Sequence, residues 1–372
     1  MNVLLTGGGT GGHVYPALAI AEALADQPAA APLRLLYVGK RDGLEAEIVP
    51  PTGLPIAFVA TAPVARRSAA QMMTAIAANA VGVVQALAVL HRFRPHVAVA
   101  TGGYVAFPVM LAARIVRAIG LSRVRLALLE PNAKPGLTNR LLAPLVDEIW
   151  IAADGEPGAF GRKAVRTGTP LRAAFSRPMD RAAARAALGL APEPTTVVVI
   201  GGSQGARSLN DATLRLLRAG GLPRGRQILL VCGRRDHGAV AAALAKIETR
   251  GRAHVIPYLD DPRAAYAAAD LVVARSGAGT LAELAATGTP ALLVPFPFAT
   301  DGHQARNAES FARRGAARVI PDGELDGARL HREIDDALTV NVASTMRAAA
   351  ETARVPNPAA SIARRIVELG RG

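Results

Sequence analysis

The chain of 372 residues has a single cysteine, Cys232, and few aromatic side chains. One thiol cannot form an internal disulfide, so no disulfide framework is expected, and a reducing compartment such as the cytoplasm fits this composition. Phenylalanine, tyrosine and tryptophan make up 4% of the residues. Because single-stranded nucleic acids are bound by stacking bases on aromatic side chains, the sequence argues against a nucleic-acid partner.

Acidic residues are also scarce, with 29 Asp and Glu against 43 Lys and Arg and a formal net charge of +14. Such an excess favours anionic partners, for example phosphates or a lipid surface. Only four of the cations are lysines, and alanine is abundant. A bias in genome composition would produce the same pattern, so the charge alone does not select a partner.

Long apolar runs are few, and the longest covers residues 69–90. Its length suits a membrane span, but polar residues and one glycine interrupt it, and it lies between two elements of a predicted sheet. We therefore expect an amphipathic helix, buried or partly exposed, whose apolar face and basic rim suit the surface of an anionic bilayer. The interrupting residues are Gln71, Asn79, Gly82 and Gln85, and the rim consists of Arg66, Arg67, His91, Arg92 and Arg94. The chain starts with a strand and a glycine loop, which predicts no cleaved signal peptide.

Short apolar runs alternate with helical patterns along the chain, which predicts βαβ units and parallel sheets covered by helices. A chain of this length exceeds one ordinary core, so two domains are expected. We place an N-terminal domain at 1–168, a second domain at 169–345, and a final segment at 346–372 whose helix packs back on the first domain. The predicted strands are 2–6, 33–38, 97–101, 125–129, 148–151, 195–200, 227–232, 253–256, 271–274 and 291–294.

Two glycine-rich loops, at 7–13 and 201–207, each follow a predicted strand and precede a predicted helix. This arrangement presents backbone NH groups and the positive end of a helix dipole to an anion, and glycine lets the anion approach the backbone. Neither loop has the acidic residue of a dinucleotide-binding fingerprint about 20 positions on. The alternative to anion binding is that the glycines only allow a tight strand-to-helix turn. The presence of two such loops in one chain favours anion binding.

Three side chains have chemistry suited to binding a ligand or accepting a proton. His13 lies near a helix N-terminus, where the dipole favours the neutral imidazole that a general base needs. Glu283 follows a turn of small residues at 276–280. A diphosphate would repel its carboxylate, so a neutral ribose diol is the better partner. The alternative is that Glu283 only stabilises the helix dipole. Gln304, in a polar loop, is suited to sugar hydroxyls.

Four motifs occur in the same order as in a known family: Gly-Gly-Thr-Gly-Gly-His at 8–13, Gly-Leu-Thr-Asn-Arg at 136–140, Gly-Gly-Ser-Gln-Gly-Ala-Arg at 201–207, and Arg-Ser-Gly-Ala-Gly-Thr-Leu-Ala-Glu at 275–283. As a set they resemble the MurG family of N-acetylglucosaminyltransferases, glycosyltransferase family 28, over nearly the whole chain. The resemblance implies a GT-B fold, an α/β architecture of two Rossmann-like doubly wound parallel-sheet domains facing a cleft. It also implies UDP-N-acetylglucosamine as donor, held mostly by the second half.

The same resemblance implies an acceptor linked to undecaprenyl diphosphate, lipid I, which is converted to lipid II in peptidoglycan synthesis. Its partners would be the anionic cytoplasmic face of the plasma membrane, where the enzyme is peripheral, and other cell-wall synthesis proteins. By analogy Ser203 lies near the diphosphate, Glu283 on the ribose, Gln304 on the sugar and the Leu259 backbone at the uracil. The donor-binding residues implied are Thr10, Gly11, Gly12, Asn132, Arg172, Ser203, Leu259, Ala278, Gly279, Thr280, Leu281, Ala282, Glu283 and Gln304.

For the chemistry, the resemblance implies an inverting single displacement in which His13, helped by Glu130, takes the proton of the acceptor 4-hydroxyl. Gly102, Gly103 and Tyr104 would form the acceptor-side diphosphate loop, and Arg172 would stabilise the leaving UDP. The chain has no Asp-x-Asp triplet, so we expect no protein-held metal and no cofactor. Leu129 and Pro131 stand where the family usually has histidine and glutamine. Alternatives are a related lipid glycosyltransferase with another acceptor, a nucleotide-sugar epimerase, or a basic nucleic-acid-binding protein.

Overall fold

The chain divides into two compact units in the computed structural model. The first unit comprises Met1–Ala174 and Pro356–Gly372, and the second unit comprises Phe175–Val355. The structure describes residues 1–27, 32–63, 68–152, 155, 157–202, 205–259, 261–299 and 302–371. Compared with the sequence-based boundaries, the first unit extends to residue 174 rather than 168, and residues 346–355 lie in the second unit.

The first unit is built on a seven-stranded parallel sheet in the order β3-β2-β1-β4-β5-β6-β7. Its strands are β1 (Asn2–Thr6), β2 (Arg34–Gly39), β3 (Ile56–Phe58), β4 (Val97–Ala100), β5 (Arg125–Glu130), β6 (Glu148–Ile151) and β7 (Ala164–Arg166). Its helices are α1 (Gly11–Ala25), α2 (Leu44–Ile48), α3 (Ala69–Phe93), α4 (Ala106–Ala118) and α5 (Leu137–Leu142). The central strands are buried on both faces, as their continuously apolar sequences require.

The second unit repeats this plan with six parallel strands in the order β10-β9-β8-β11-β12-β13. The strands are β8 (Thr195–Ile200), β9 (Arg226–Val231), β10 (Ala253–Ile256), β11 (Leu271–Ala274), β12 (Ala291–Leu293) and β13 (Ala317–Val319). The helices are α6 (Arg181–Ala187), α7 (Arg207–Arg218), α8 (His237–Leu244), α9 (Arg263–Ala268), α10 (Ala278–Thr287), α11 (His303–Arg313), α12 (Gly327–Ala337) and α13 (Val340–Thr352). The expected α/β fold with two doubly wound parallel sheets is confirmed.

The last helix, α14 (Pro358–Arg371), lies in the first unit although it follows the whole of the second unit in sequence. Ile362, Ala363 and Ile366 are buried in the same core cluster as the inner face of α1. Arg365 donates to both carboxylate oxygens of Glu148 in β6, at 2.8 and 2.9 Å. Apolar burial and a bidentate ion pair therefore attach this helix to the sheet.

Helix α3 has 25 residues and contains the one segment among the described helices that is long and apolar enough to cross a membrane. Only 28% of its most apolar window is buried. The polar residues that interrupt the apolar run attach it to the neighbouring loop: Gln85 accepts from the Ala60 amide at 2.6 Å, and the Asn79 amide donates to the Ala62 carbonyl at 2.8 Å. The helix is thus fixed to the first unit with an apolar face outward, on which Met73 and Val84 are each 67% exposed.

Candidate active site

Both sheets reverse their strand order at one point, between β1 and β4 in the first unit and between β8 and β11 in the second. In doubly wound sheets, ligands bind beyond the carboxyl ends of the strands at such a switch point, because the two neighbouring loops diverge there. The loops at 7–13, 102–104, 201–207 and 275–280 follow these four strands, whereas the motif at 136–140 follows β5. Topology therefore places these four loops at the two positions where this fold class binds ligands.

In the first unit, the loops that follow β1 and β4 pack directly on each other. Gly102 has φ +105°, and a Cβ there would lie 2.7 Å from Nδ1 of His13. A Cβ on Gly103 would collide with the carbonyl oxygen of Gly8. The ring of Tyr104 lies against Gly9, where a Cβ would approach its Cε1 to 2.9 Å. Glycine is required here because the loop at 102–104 and the first glycine loop touch through their backbones.

His13 is the third residue of α1, and its Nδ1 lies 2.9 Å from the carbonyl oxygen of Thr101. A carbonyl can only accept, so Nδ1 carries the proton of the neutral ring and Nε2 carries the lone pair. The Thr101 hydroxyl donates to the backbone oxygen of His13 at 2.7 Å, which holds the two residues together from a second side. This tautomer and orientation suit Nε2 for accepting a proton.

Glu130, expected to assist His13, is 2% exposed at the end of β5 and accepts four hydrogen bonds. One oxygen accepts from the backbone and side-chain nitrogens of Asn132, at 3.0 and 2.9 Å. The other accepts from the Gly136 amide and the Asn139 side chain, both at 2.9 Å. The carboxylate thus holds the loop at 131–136 in place, and a proton relay through it would have to displace one of these donors.

Leu129 and Pro131, which stand where the family usually has histidine and glutamine, are both buried. Leu129 is fully buried in the core cluster of the first unit, and its carbonyl accepts from the Asn139 side chain at 2.9 Å. An apolar side chain at this position adds to that core. The neighbouring Glu130 and Asn132, which match the family pattern, keep their mutual hydrogen bonds.

Arg172, expected at the leaving diphosphate and within the predicted second domain at 169–345, lies in the first unit. Its Nε donates to Glu22 of α1 at 2.9 Å, and the Ala173 amide donates to the other carboxylate oxygen at 3.1 Å. The Arg172 side chain is 48% exposed. Nε is the guanidinium nitrogen bound to Glu22, and a guanidinium has further N–H donors on its two terminal nitrogens, so contact with a diphosphate does not require this ion pair to break.

In the second unit, the loop after β11 is anchored by Arg275, whose guanidinium donates to Asp322 at 2.6 Å and to Ser208 at 2.8 Å. The hydroxyl of Ser276, which is fully buried, donates to the backbone oxygen of Gln304 at 2.8 Å. These bonds join the β11 loop to the starts of α7 and α11. Ser203, in the loop after β8, lies outside the described residues.

Helix α10 begins at this anchored loop with Ala278, Gly279 and Thr280. A backbone hydrogen bond runs from the Leu281 amide to the Gly277 carbonyl, and the amides of the three preceding residues lie in the first turn, where the helix supplies no partner. Residues 277–282 are partly exposed, and a Cβ built on Gly279 would meet only open space. The start of α10 is therefore a backbone surface that an anion can approach closely.

Glu283 lies on the next turn of α10, where the hydroxyl of Tyr266 donates to it at 2.6 Å. Burial raises the pKa of Glu283 to about 7, against the lowering effect of the Tyr266 hydrogen bond, and the nearby charge of Asp261 adds to the rise. Burial also raises the pKa of Tyr266, so its phenol stays protonated as a donor. A carboxylate in this state gains from hydroxyl donors, because they replace the water that burial removes.

Gln304 and Leu259 complete the expected set in the second unit. The side-chain oxygen of Gln304 accepts from the Phe296 amide at 3.0 Å, so its NH2 group is the part suited to donating to a ligand. Leu259 packs against the core cluster that contains Tyr266. The described residues include no group of three or more His, Cys, Asp and Glu side chains placed to hold a metal ion.

The expected residues thus form two sets. In the first unit Gly102 and Gly103 lie against His13, and in the second unit Gln304 is joined through Ser276 to the loop that precedes α10. Thr101 and Tyr266, which orient His13 and Glu283, belong to no expected site. Thr101 could have been found, since it lies between a buried strand and two glycines, whereas Tyr266 has no signal in the sequence around it.

Comparison with known proteins gives the family. A model described as the glycosyltransferase family 28 N-terminal domain matches residues 3–151, and one described as the glycosyltransferase family 28 C-terminal domain matches residues 196–366. The crystal structure of MurG from Acinetobacter baumannii is similar over 99% of both chains, with a TM-score of 0.76 and 26% identity.

Two curated relatives match almost end to end. A relative from Moorella thermoacetica is 42% identical, and the match covers 91% of this chain and 90% of the relative. A relative from Symbiobacterium thermophilum is 39% identical, and the match covers 100% of this chain and 97% of the relative. Both are named UDP-N-acetylglucosamine–N-acetylmuramyl-(pentapeptide) pyrophosphoryl-undecaprenol N-acetylglucosamine transferase. The chain belongs to glycosyltransferase family 28.

Proposed function

We propose that this protein is an inverting hexosyltransferase that moves N-acetylglucosamine from UDP-N-acetylglucosamine to the 4-hydroxyl of the N-acetylmuramoyl-pentapeptide of lipid I. The product is lipid II, the lipid-linked disaccharide of peptidoglycan synthesis. The observation that carries the proposal is the His13–Thr101 hydrogen bond of 2.9 Å, because it gives the first unit an oriented base. The names of the two curated relatives support the same donor and acceptor.

The second unit supplies the donor site. The amides at the start of α10 bind the diphosphate, with the helix dipole adding to their attraction. Glu283 accepts hydrogen bonds from the ribose hydroxyls, and the Gln304 amide donates to the sugar. Thr10, Gly11 and Gly12, at the start of α1, offer a further set of amides from the first unit.

The first unit supplies the proton acceptor. Nε2 of His13 takes the proton of the acceptor hydroxyl while its oxygen forms a bond to the anomeric carbon. The bond between that carbon and UDP breaks at the same time, and the negative charge moves to the departing diphosphate. The Thr101 carbonyl then stabilises the imidazolium, since it accepts from the Nδ1 proton throughout. Backbone amides, rather than a protein-held metal or a cofactor, stabilise the leaving group in this proposal, and activity in excess EDTA tests that part.

A lipid-linked acceptor requires the enzyme to work at a membrane. The outward face of α3 provides apolar contact, and Arg92 in its last turn provides positive charge for anionic headgroups. Leu121, just beyond α4, is 77% exposed on the same unit. Peripheral attachment to the cytoplasmic face of the plasma membrane follows, with other cell-wall synthesis proteins as partners there.

The test is to incubate the protein with labelled UDP-N-acetylglucosamine and a soluble lipid I analogue and to look for the disaccharide product. Product that requires both substrates supports the proposal. Conversion of the donor without acceptor would instead identify a nucleotide-sugar epimerase, and transfer only to other lipids in an acceptor panel would identify a related enzyme. Salt-dependent binding to plain DNA without donor-dependent activity would contradict the enzyme assignment.

A further inference from the structure

A fully buried carboxylate, Glu45, lies beneath the first glycine loop. It belongs to α2, which follows β2 at the same carboxyl edge of the sheet as the loop after β1. One carboxylate oxygen accepts from the Lys40 amide at 2.9 Å, and the other accepts from the Gly9 amide at 3.3 Å. Its hydrogen bonds therefore connect the β2–α2 turn to the glycine loop.

The surroundings of this carboxylate leave no room for side chains. A Cβ on Gly8 would lie 2.5 Å from a carboxylate oxygen of Glu45, and a Cβ on Gly43 would lie equally close. Neither glycine has a positive φ, so close approach, rather than backbone conformation, explains glycine at both positions. The loop and the carboxylate are thus packed against each other without an intervening group.

The other polar groups of the loop are also held from within the first unit. The hydroxyl of Tyr37 donates to the Gly7 carbonyl at 2.7 Å. Burial, with the charge of Glu45 as a second cause, raises the pKa of Tyr37, so the phenol remains a donor. The Gly8 amide points to the Gly102 carbonyl at 3.4 Å. The amides of Gly8 and Gly9 are therefore directed at protein atoms, and the amides at the start of α1 are the ones suited to substrate.

We propose that Glu45 is a positioning residue for the transfer reaction, which sets the Gly7–Gly9 backbone and through it the placement of His13 and the Gly102–Gly103 loop. This inference rests on the proposed function. Glu45 does not touch the reacting atoms in this scheme. It acts by holding the Gly9 amide inward, so that the chain enters α1 in the orientation that brings His13 to Thr101.

The test is to measure the transfer kinetics of the E45Q variant of the whole chain. Glutamine has the same shape, but its amide nitrogen donates, so one of the two backbone amides loses its acceptor. We expect kcat to fall about 10- to 100-fold, since displacement of a reacting group by about 1 Å costs that much. The KM for UDP-N-acetylglucosamine and the calorimetric affinity for UDP, which depend mainly on the second unit, should stay within about twofold of wild type. E47Q is the matched control, because Glu47 is exposed on the same helix, and it should match wild type.

A second variant separates positioning from general loss of structure. G8A places a methyl group against the Glu45 carboxylate and should lower kcat by displacing the loop. In an E45A background the carboxylate is gone, so the same methyl group has space and G8A should cost less than it does in the wild type. If the effects of G8A and E45A on the logarithm of kcat are additive, Gly8 and Glu45 act independently, which contradicts the proposal.

Folding of the first unit can be followed separately, because Trp150, the single tryptophan, is fully buried in β6. Variants with a wild-type Trp150 emission spectrum and unfolding midpoint have a folded first unit. The proposal is overturned if E45Q keeps wild-type kcat, or if its loss of kcat equals the fraction unfolded by Trp150 fluorescence. Absence of transfer by the wild type would instead contradict the proposed function, so the two failures are distinguishable.

Discussion

At the scale of single residues, the clearest chemical assignment is that of His13, whose tautomer is set by the Thr101 carbonyl. We expect H13A to lower kcat by about 10²- to 10⁴-fold, the usual cost of removing a general base. UDP affinity should be nearly unchanged, because the ribose contact and most of the proposed diphosphate contacts lie in the second unit and none involves the His13 side chain. Steady-state kinetics and calorimetry measure the two quantities. With the soluble lipid I analogue, which needs no membrane contact, H91A at an exposed histidine of the first unit is the control. Wild-type turnover by H13A would end the assignment.

Glu283 allows a prediction about pH. Its pKa of about 7 in the folded protein lies above that of an unfolded glutamate. The folded state therefore binds the proton more tightly, and wild-type stability falls as pH rises from about 4.5 through 7. E283Q cannot ionise, so its melting temperature should rise relative to wild type between pH 5 and pH 8. E309Q, an exposed substitution in the same unit, should show no such trend.

The same variant should bind UDP about tenfold more weakly at pH 8, because hydrogen bonds to a charged acceptor are stronger than those to an amide. The wild-type affinity should increase as pH rises through 7, and that of E283Q should not. Titration calorimetry at both pH values makes the comparison. An affinity of E283Q equal to that of wild type at pH 8 would remove Glu283 from the ribose site.

The sequence was sufficient for residues whose role depends on neighbours in the chain, and insufficient for those that meet distant partners. Glycine turns at strand ends and the position of His13 in the first turn of α1 followed from local patterns. The partner of Arg172, Glu22, lies 150 residues away, and Thr101 meets His13 across 88 residues. No local pattern predicts such pairs, because they are fixed by the order of strands in the sheet.

At the scale of secondary-structure elements, helix α3 carries the prediction about membranes. Substituting Met73 and Val84 together with glutamine should lower the affinity for anionic vesicles by about tenfold, since two apolar side chains lose their contact with lipid. Co-sedimentation with vesicles at low salt measures the change. V340Q, at a valine that is 84% exposed in the second unit, is the matched control. Equal vesicle binding by both variants would exclude this face.

Long elements were easier to predict from the sequence than short strands at the sheet edges. The buried central strands and the long helices have continuous apolar runs or clear helical periodicity, and their ends differ from the predictions by a few residues. The strands β3, β7 and β13 have three residues each and were not predicted. Three residues cannot establish an alternating pattern, so such edge strands are defined by pairing with a neighbour rather than by their own sequence.

At the scale of the whole molecule, the two units have separate hydrophobic cores. A ligand held mainly by the second unit should therefore stabilise that unit more. UDP at about 100 times its Kd adds about 2.7 kcal/mol to the unit that binds it, which corresponds to roughly 5 to 10 °C. Calorimetry should detect this shift, whereas the unfolding transition reported by Trp150 in the first unit should move less. E283Q binds UDP more weakly, so UDP should raise the calorimetric unfolding temperature of this variant less than that of the wild type. If UDP shifts the unfolding transitions of both units equally, UDP is not held mainly by the second unit.

The position of α14 has a consequence for biosynthesis. Residues 356–371 are made after all of the second unit, yet Ile362 and Ile366 fill the core that covers the inner face of α1. During translation, the second unit can complete its core while the first still exposes an apolar surface at α1. The first unit, although its sheet is made first, is therefore the last to be finished, and a nascent chain arrested before residue 356 would present that surface to chaperones and proteases.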